Sequence, residues 1–297
     1  MMRRTLVILL GLALLTGCED RLDLEDITLA LMSGLDLNED NELLAYMSSP
    51  VFSKEARKKN EEIGIRTETL RQARGKFDSM ATAKVVGGKL QVLLVGQKVL
   101  EYKDWYALLD VLFRDAKNTV NTRIVAVDGS VADIINFAPE DKPRLPQHVT
   151  KLIDTASSRG VVPRTSLQEF RRQIIDKGIT PSITLLRRKK DIELLGTALL
   201  DNEGKLAGKL GLTDSQWLLL LQGKGQEEIS ISLKLPEMKP NTNILKSGYI
   251  SFYAVKANRQ VKVQCKQDRF YFQIHFKIPL RFRKNILPSR LKNAQRS

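Results

Sequence analysis

The chain has 297 residues, 48 Lys+Arg against 34 Asp+Glu for a net charge of +14, and 42% apolar residues. That balance excludes a disordered or low-complexity chain, and the length leaves room for about two packed domains. Two Cys and two His, His148 and His275, exclude a disulfide-stapled scaffold and a zinc ribbon, and no HExxH spacing is present. The basic residues are not interleaved with aromatic ones in a nucleic-acid-binding pattern, so no nucleic-acid partner is expected.

Met1 to Arg4 is a short basic start, and Leu6 to Leu15 is an unbroken apolar run. Ten helical residues span about 15 Å, half of a bilayer core of about 30 Å. The run therefore reads as the core of a signal peptide over residues 1–17, not as a membrane-spanning helix. Leu15-Thr16-Gly17-Cys18 follows directly. A Leu, a small residue, Gly and then Cys form a bacterial lipobox, in which the Cys18 thiol accepts a diacylglycerol. Two acyl chains give a stable anchor where one gives only marginal binding. The mature chain then begins at Cys18, outside the cytoplasm, and Cys265 has no intramolecular partner. The next stretch, Cys18 to Glu42, holds nine acids and one Arg.

Along the mature chain, Ile27 to Leu37 reads as a strand, and Glu42 to Phe52 as a second one stopped at Pro50. Lys54 to Arg66 is charged and reads as an exposed loop. Helical spacing from Thr67 to Met80 is followed by a strand over Lys89 to Leu94. A helix over Asp104 to Ala116 carries an apolar stripe of Trp105, Leu108, Leu109 and Leu112, which reads as core. Thr122 to Val127 is a strand, Val131 to Phe137 a short helix, and Pro143 to Pro146 a turn or boundary ahead of a helix over His148 to Ser157. Ser166 to Glu169 is a capping box opening a helix that ends before Gly178. Pro181 to Arg188, Asp191 to Leu200 and Lys205 to Leu210 are strands, the last two joined by an Asn202-Glu203-Gly204 turn. Thr213 to Gln216 is a second capping box.

From Glu228 onward the chain reads as strands. Ile229, Ile231 and Leu233 alternate with polar residues, and Tyr249 to Lys256 and Gln260 to Lys266 follow. Phe270, Phe272, Ile274, Phe276, Ile278 and Leu280 share one face, with Tyr271, Gln273, His275 and Lys277 opposite, the pattern of an antiparallel strand with one buried side. Arg281 to Ser297 has six Lys/Arg and no acid. Such a tail is expected to be disordered by charge repulsion and to attract anionic lipid.

No GxSxG, phosphate-binding loop or metal-binding spacing occurs. Gly204, Gly208 and Gly211 lie in a hairpin and its exit, not in a phosphate turn. Asp20, Asp23, Glu25 and Asp26 lack the spacing of a Ca²⁺ loop. The paired Glu140 and Asp141 sit in a turn. No catalytic residue, cofactor or metal is expected, and the residues point to a lipoprotein that acts by binding.

Three segments together resemble the Ger(x)C family, the lipoprotein C subunits of nutrient germinant receptors in endospore-forming bacteria. The first is Gly17-Cys18-Glu19-Asp20-Arg21 with Asp23 to Ile27 and Gly34-Leu35-Asp36. The second runs from Gly196-Thr197-Ala198 through Lys205 to Gly208 and on to Leu218 to Lys224. The third is the Lys262 to Ile278 hairpin. Glu19 stands where the family usually has Trp. After Ile278 the pattern stops, so the C-terminal end reads as truncated or frameshifted and the Phe270 to Ile278 face as poorly covered.

The resemblance implies an α+β, multi-domain fold of mixed and antiparallel sheets with packed helices and an incomplete C-terminal domain. The expected layout is an N-terminal region over 18–200, with room for two subdomains meeting near 143–146, a C-terminal domain over 201–280 and a basic tail over 281–297. It implies a non-catalytic subunit on the outer surface of the spore inner membrane, held to the bilayer through Cys18 and partnered by membrane-embedded A and B subunits. A solute-binding lipoprotein serving a transporter is the alternative, favoured by a two-lobed arrangement of repeated βα units.

Overall fold

The computed structural model describes residues 23, 26–52, 55–139, 141–224, 228–234, 249–255, 258–267 and 269–281. Cys18, the apolar run before it, Asp20, Glu25, Glu140 and the tail after Arg281 lie outside the described residues.

The chain enters through β1 (Ile27–Leu29), β2 (Met32–Leu37), β3 (Leu43–Pro50) and β4 (Asn60–Arg66). The strand expected over Ile27 to Leu37 is two strands, because its halves serve different sheets. β1 pairs in parallel with β5 (Lys84–Val86), while β2 lies between β3 and β6 (Val92–Gly96). The segment expected as a charged loop contains β4. Its charges suit an edge strand, which must discourage further pairing, and only Ile63 is turned fully inward.

Between β4 and β5 lies α1 (Leu70–Met80), capped by the Thr69 hydroxyl, which accepts the Gln72 amide at 3.1 Å. After β6 come α2 (Gln97–Leu100), a 3₁₀ turn (Trp105–Leu109) and α3 (Asp110–Arg114). The sequence spacing predicts one continuous helix here. Asp104 instead takes a left-handed backbone at φ 56°, and the chain restarts as 3₁₀ from it. β7 (Arg123–Val127) leads to α4 (Val131–Ile135), α5 (Leu145–Ser158) and α6 (Leu167–Ile175), then to β8 (Ser182–Arg188), β9 (Ile192–Leu200), β10 (Leu206–Gly211) and α7 (Leu212–Leu221). The Ser166 hydroxyl accepts the Glu169 amide as the first capping box requires. The second box does not form: α7 starts one residue before Thr213, at a Gly211 cap without a side-chain bond.

The principal sheet runs β10-β9-β8-β7-β6-β2-β3-β4, with β8, β7, β6 and β2 parallel and the outer pairs antiparallel. The fold is α+β with mixed sheets. Strands on both sides of Pro143–Pro146 and of residue 200 belong to this one sheet. Central parallel strands must be covered on both faces, which explains the continuous apolar runs Val92 to Val95 and Ile124 to Val127. Leu93, Val95, Ile124 and Ala126 face one layer, formed by Ala73 and Phe77 of α1, Trp105, and Leu167 and Phe170 of α6. Val92, Leu94, Val125 and Val127 face the other, formed by Ile134 of α4 and Leu145, Val149 and Ile153 of α5. Arg123 clamps α5 to the sheet through a two-pronged bond to Asp154, at 2.8 and 2.6 Å.

Beyond α7, β11 (Glu228–Lys234) pairs antiparallel with β12 (Tyr249–Val255), which also meets β15 (Leu280–Arg281). β13 (Asn258–Lys266) and β14 (Arg269–Lys277) form a separate antiparallel hairpin with Val261 opposite Ile274 and Val263 opposite Phe272. The alternating face does gather Phe270, Phe272 and Ile274, yet it is open to solvent: they are 67%, 66% and 41% exposed.

The Phe170 ring, fully buried, stacks on Trp105 at 5.6 Å between centroids. Phe170→Ala should lower the unfolding free energy by about 3–5 kcal/mol in chemical denaturation. A loss under about 1 kcal/mol would show that this layer is not a packed core.

Candidate functional site

Two of the motifs that carry the family resemblance hold the molecule together at specific points. Gly34-Leu35-Asp36 ends the central strand β2. The Asp36 carboxylate is buried; one oxygen accepts the Leu37 amide and the other the Val131 amide, each at 2.9 Å. It thereby fixes the start of α4 to the carboxyl end of β2. Its neighbours must be small: a Cβ on Gly96 would lie 2.2 Å from an Asp36 oxygen, and one on Gly34 would lie 2.4 Å from Val131.

The second motif, Gly196-Thr197-Ala198, lies in β9, and the β9–β10 turn reaches back across the fold. The buried Trp105 indole N–H donates to the Gly204 carbonyl at 2.6 Å, and the Asp104 amide donates to the Glu203 carbonyl at 2.7 Å. Gly204 sits at φ +77°, where a Cβ would also come within 2.8 Å of the Tyr106 ring. Trp105 reads from sequence as core alone; it is core and also the latch for a turn about a hundred residues on. The Asn202-Glu203-Gly204 turn was visible in the sequence, but its docking partner was not.

Charged groups gather at the carboxyl ends of the parallel strands, where open α/β sheets commonly place ligands. Lys209 of β10 donates to Gln97 Oε1 at 2.6 Å and pairs with Asp128 at the end of β7. Arg187 lies 3.9 Å from Asp128 and 3.7 Å from Glu193. These groups neutralise one another. On α6, Glu169 accepts both Arg172 prongs at 2.8 Å, Gln173 at 3.0 Å and Lys224 at 3.4 Å. The Arg172 bonds lead in holding its carboxyl down, from the ordinary 4.5 to about 2. Lys224 follows α7, so this pair ties α6 to the far end of that helix.

A cavity of about 110 Å³ opens between α1, α3 and the sheet, lined by Leu35, Met47, Phe77, Leu93 and Leu112. Arg74 also lines it and bonds Asp115 at 2.6 Å, which keeps the Asp115 carboxyl below its usual range. Its lining is mostly apolar, with Ser33, Arg74 and Asn118 as the polar members.

Cys18, the expected lipid-attachment residue, lies outside the described residues. Of the acidic segment, Asp23 and Asp26 are described; among the described residues no group of three or more His, Cys, Asp or Glu could hold a metal. His148 packs 4.0 Å from Asp191, its pKa pushed down by burial and by Lys142, while His275 stands on the polar face of the β13–β14 hairpin. His148 lies on α5 and His275 on the β13–β14 hairpin, so the two histidines sit on separate elements. Cys265 is free and exposed, opposite Phe270. Among the described residues no helix is long and apolar enough to cross a membrane.

Comparison with known proteins adds identity to this geometry. The family model described as the spore germination protein N-terminal domain matches residues 20–188, more than half of the chain. The model described as spore germination B3/GerAC-like, C-terminal, matches residues 195–295. That second match runs past Ile278, beyond the point where the resemblance in the sequence pattern stops. A crystal structure of the GerBC protein is similar over 89% of this chain and 76% of that one, at 16% identity and a TM-score of 0.48. No curated protein matches the sequence.

The Glu169 cluster has a pH signature. A depressed carboxylate contributes stability that is complete above its unfolded value and is lost as pH falls through the folded one. The wild-type chain should therefore lose this contribution between pH 4.5 and about 2. Glu169→Gln should flatten stability against pH in that window, and an unchanged slope would contradict the assignment.

Proposed function

Since the chain belongs to the spore germination family that these two domains define, we propose that it works as a C-type subunit of a nutrient germinant receptor. In this reading it is anchored by diacylglycerol on Cys18 to the outer surface of the spore inner membrane. It acts by engaging membrane-embedded A and B subunits rather than by turning over a substrate. The observation that carries the reading is the pair of consecutive family matches, residues 20–188 and 195–295.

The geometry supports a binding role. Asp36, the buried carboxylate at the head of the central strands, spends both oxygens on backbone donors. Asp128, Arg187, Glu193 and Lys209 are matched in mutual pairs. A buried carboxylate bonded in this way to two backbone amides acts as a structural clamp, whereas a general base must face the reacting proton. Polar groups arranged like this stiffen a scaffold. The βα units form one sheet rather than two lobes around a cleft, which favours this reading over a transporter-linked solute trap.

The anchor and the partners are tested separately. Cys18→Ala in the native host should abolish lipid labelling and shift the protein from the detergent phase to the aqueous phase in phase partitioning. Unchanged labelling would remove Cys18 as the attachment site. Affinity capture of the tagged wild-type protein from detergent-solubilised spore membranes should recover A- and B-type subunits. Capture of the intact lipoprotein without either subunit would contradict the receptor assignment.

A further inference from the structure

The β13–β14 hairpin stands apart from the rest of the described structure in its surface chemistry. In the register of the pair, Val261, Val263, Cys265, Phe270, Phe272 and Ile274 share one face, which ends at the half-buried Phe276 and at Arg259, whose guanidinium donates to the Leu221 carbonyl of α7. Val263, Phe270 and Phe272 are each more than half exposed. The opposite face carries Lys262, Lys266, Arg269 and Lys277. A lone two-stranded sheet with an uncovered apolar face is marginal in water and needs a further layer.

Charge selects what that layer is. Residues 258–297 hold eleven Lys/Arg and one acid, a net +10 of the chain's +14. A second copy of the same face would bring two strongly positive segments together. A membrane surface rich in anionic lipid offers apolar contact and negative charge at once. The sheet is thin, about 10 Å through with its side chains, close to the ~8 Å screening length at physiological salt. Lys and Arg on its outer face therefore still feel the lipid charge, and their long stems can reach toward it. An amphipathic basic element of this kind is suited to lie in the interface.

We propose that the β13–β14 hairpin docks, apolar face down, on an anionic lipid surface. This contact would orient the protein on the membrane independently of any acyl group on Cys18. A diacyl chain tethers one end but leaves the body free to swing, and a second contact near the other end of the chain removes that freedom.

The test uses the mature chain, residues 18–297, with Cys18→Ser so that no lipid is attached. Sedimentation with vesicles of phosphatidylcholine containing ~30% phosphatidylglycerol should show binding at least about tenfold tighter than to phosphatidylcholine alone. Raising salt from ~0.1 to ~0.5 M should weaken it at least about tenfold. Phe270→Ser with Phe272→Ser should weaken it by about tenfold or more, with the circular dichroism spectrum unchanged because both rings are exposed. Phe52→Ser, which removes an equally exposed ring elsewhere, should leave binding intact. Equal binding to the two kinds of vesicle, or wild-type binding by the double Phe variant, would overturn the proposal. So would a lipid-free dimer that the double Phe variant disperses, since the face would then belong to a second copy. None of these outcomes bears on acylation of Cys18 or on capture of A and B subunits.

Discussion

A buried indole N–H must find an acceptor or lose on the order of 1–3 kcal/mol, and Trp105 finds its acceptor in the Gly204 carbonyl. That single requirement places the β9–β10 turn against the 3₁₀ turn of the opposite half of the chain. The two family matches divide between residues 188 and 195, across the turn from β8 to β9 and the first residues of β9. The sheet does not divide there: β8 and β9 pair over seven registered positions, Ser182 with Leu199 through Arg188 with Ile192. The second matched region thus begins by completing the sheet of the first. Lys209 with Asp128, and Lys224 with Glu169, repeat the connection on the surface.

The rest of the body follows from the same economy of polar groups. Asp36 supplies the acceptor that the first turn of α4 needs, and Gly34 and Gly96 give it the space to do so. Thr165 donates to the Ser182 carbonyl, and Gln173 accepts the Ser182 amide, so α6 is bonded to the strand it covers. These are rigid, internally satisfied arrangements. They suit a protein whose work is to hold surfaces in fixed relation, and the exposed apolar side chains concentrate late in the chain, on α7 at Trp217 and Leu221 and on the β13–β14 hairpin.

Sequence made some of this legible and hid the rest for physical reasons. Period-two alternation revealed β14, and continuous apolar runs revealed β6 and β7, because each pattern reflects how many faces of a strand are covered. The Ser166 cap was readable because its bond spans three residues. The Thr213 box was not a cap, since the left-over chain from β10 already supplied an extended residue at Gly211. β4 was hidden by its charge, the very property that makes a good edge. The Asp36 and Trp105 bonds join residues 95 and 99 positions apart, and local spacing carries no trace of such a pairing. The Gly-x-Asp and Gly-Thr-Ala motifs were recognisable as family marks, but the work of Asp36 as a clamp became visible only in three dimensions.

The central claim is that the chain through α7 is one cooperative body and that the β13–β14 hairpin is an exposed element attached to it. Amide hydrogen exchange of the mature chain in the absence of lipid tests this most directly, because protection measures the free energy of opening at each strand. Amides of β9 at Ala198 and Leu200 should exchange as slowly as those of β6 and β7, at the rate set by global unfolding. Amides of β13 and β14 should exchange far faster. If β9 instead exchanged with the hairpin, ahead of β6 and β7, the sheet would be divided where the family matches divide and the account would be contradicted.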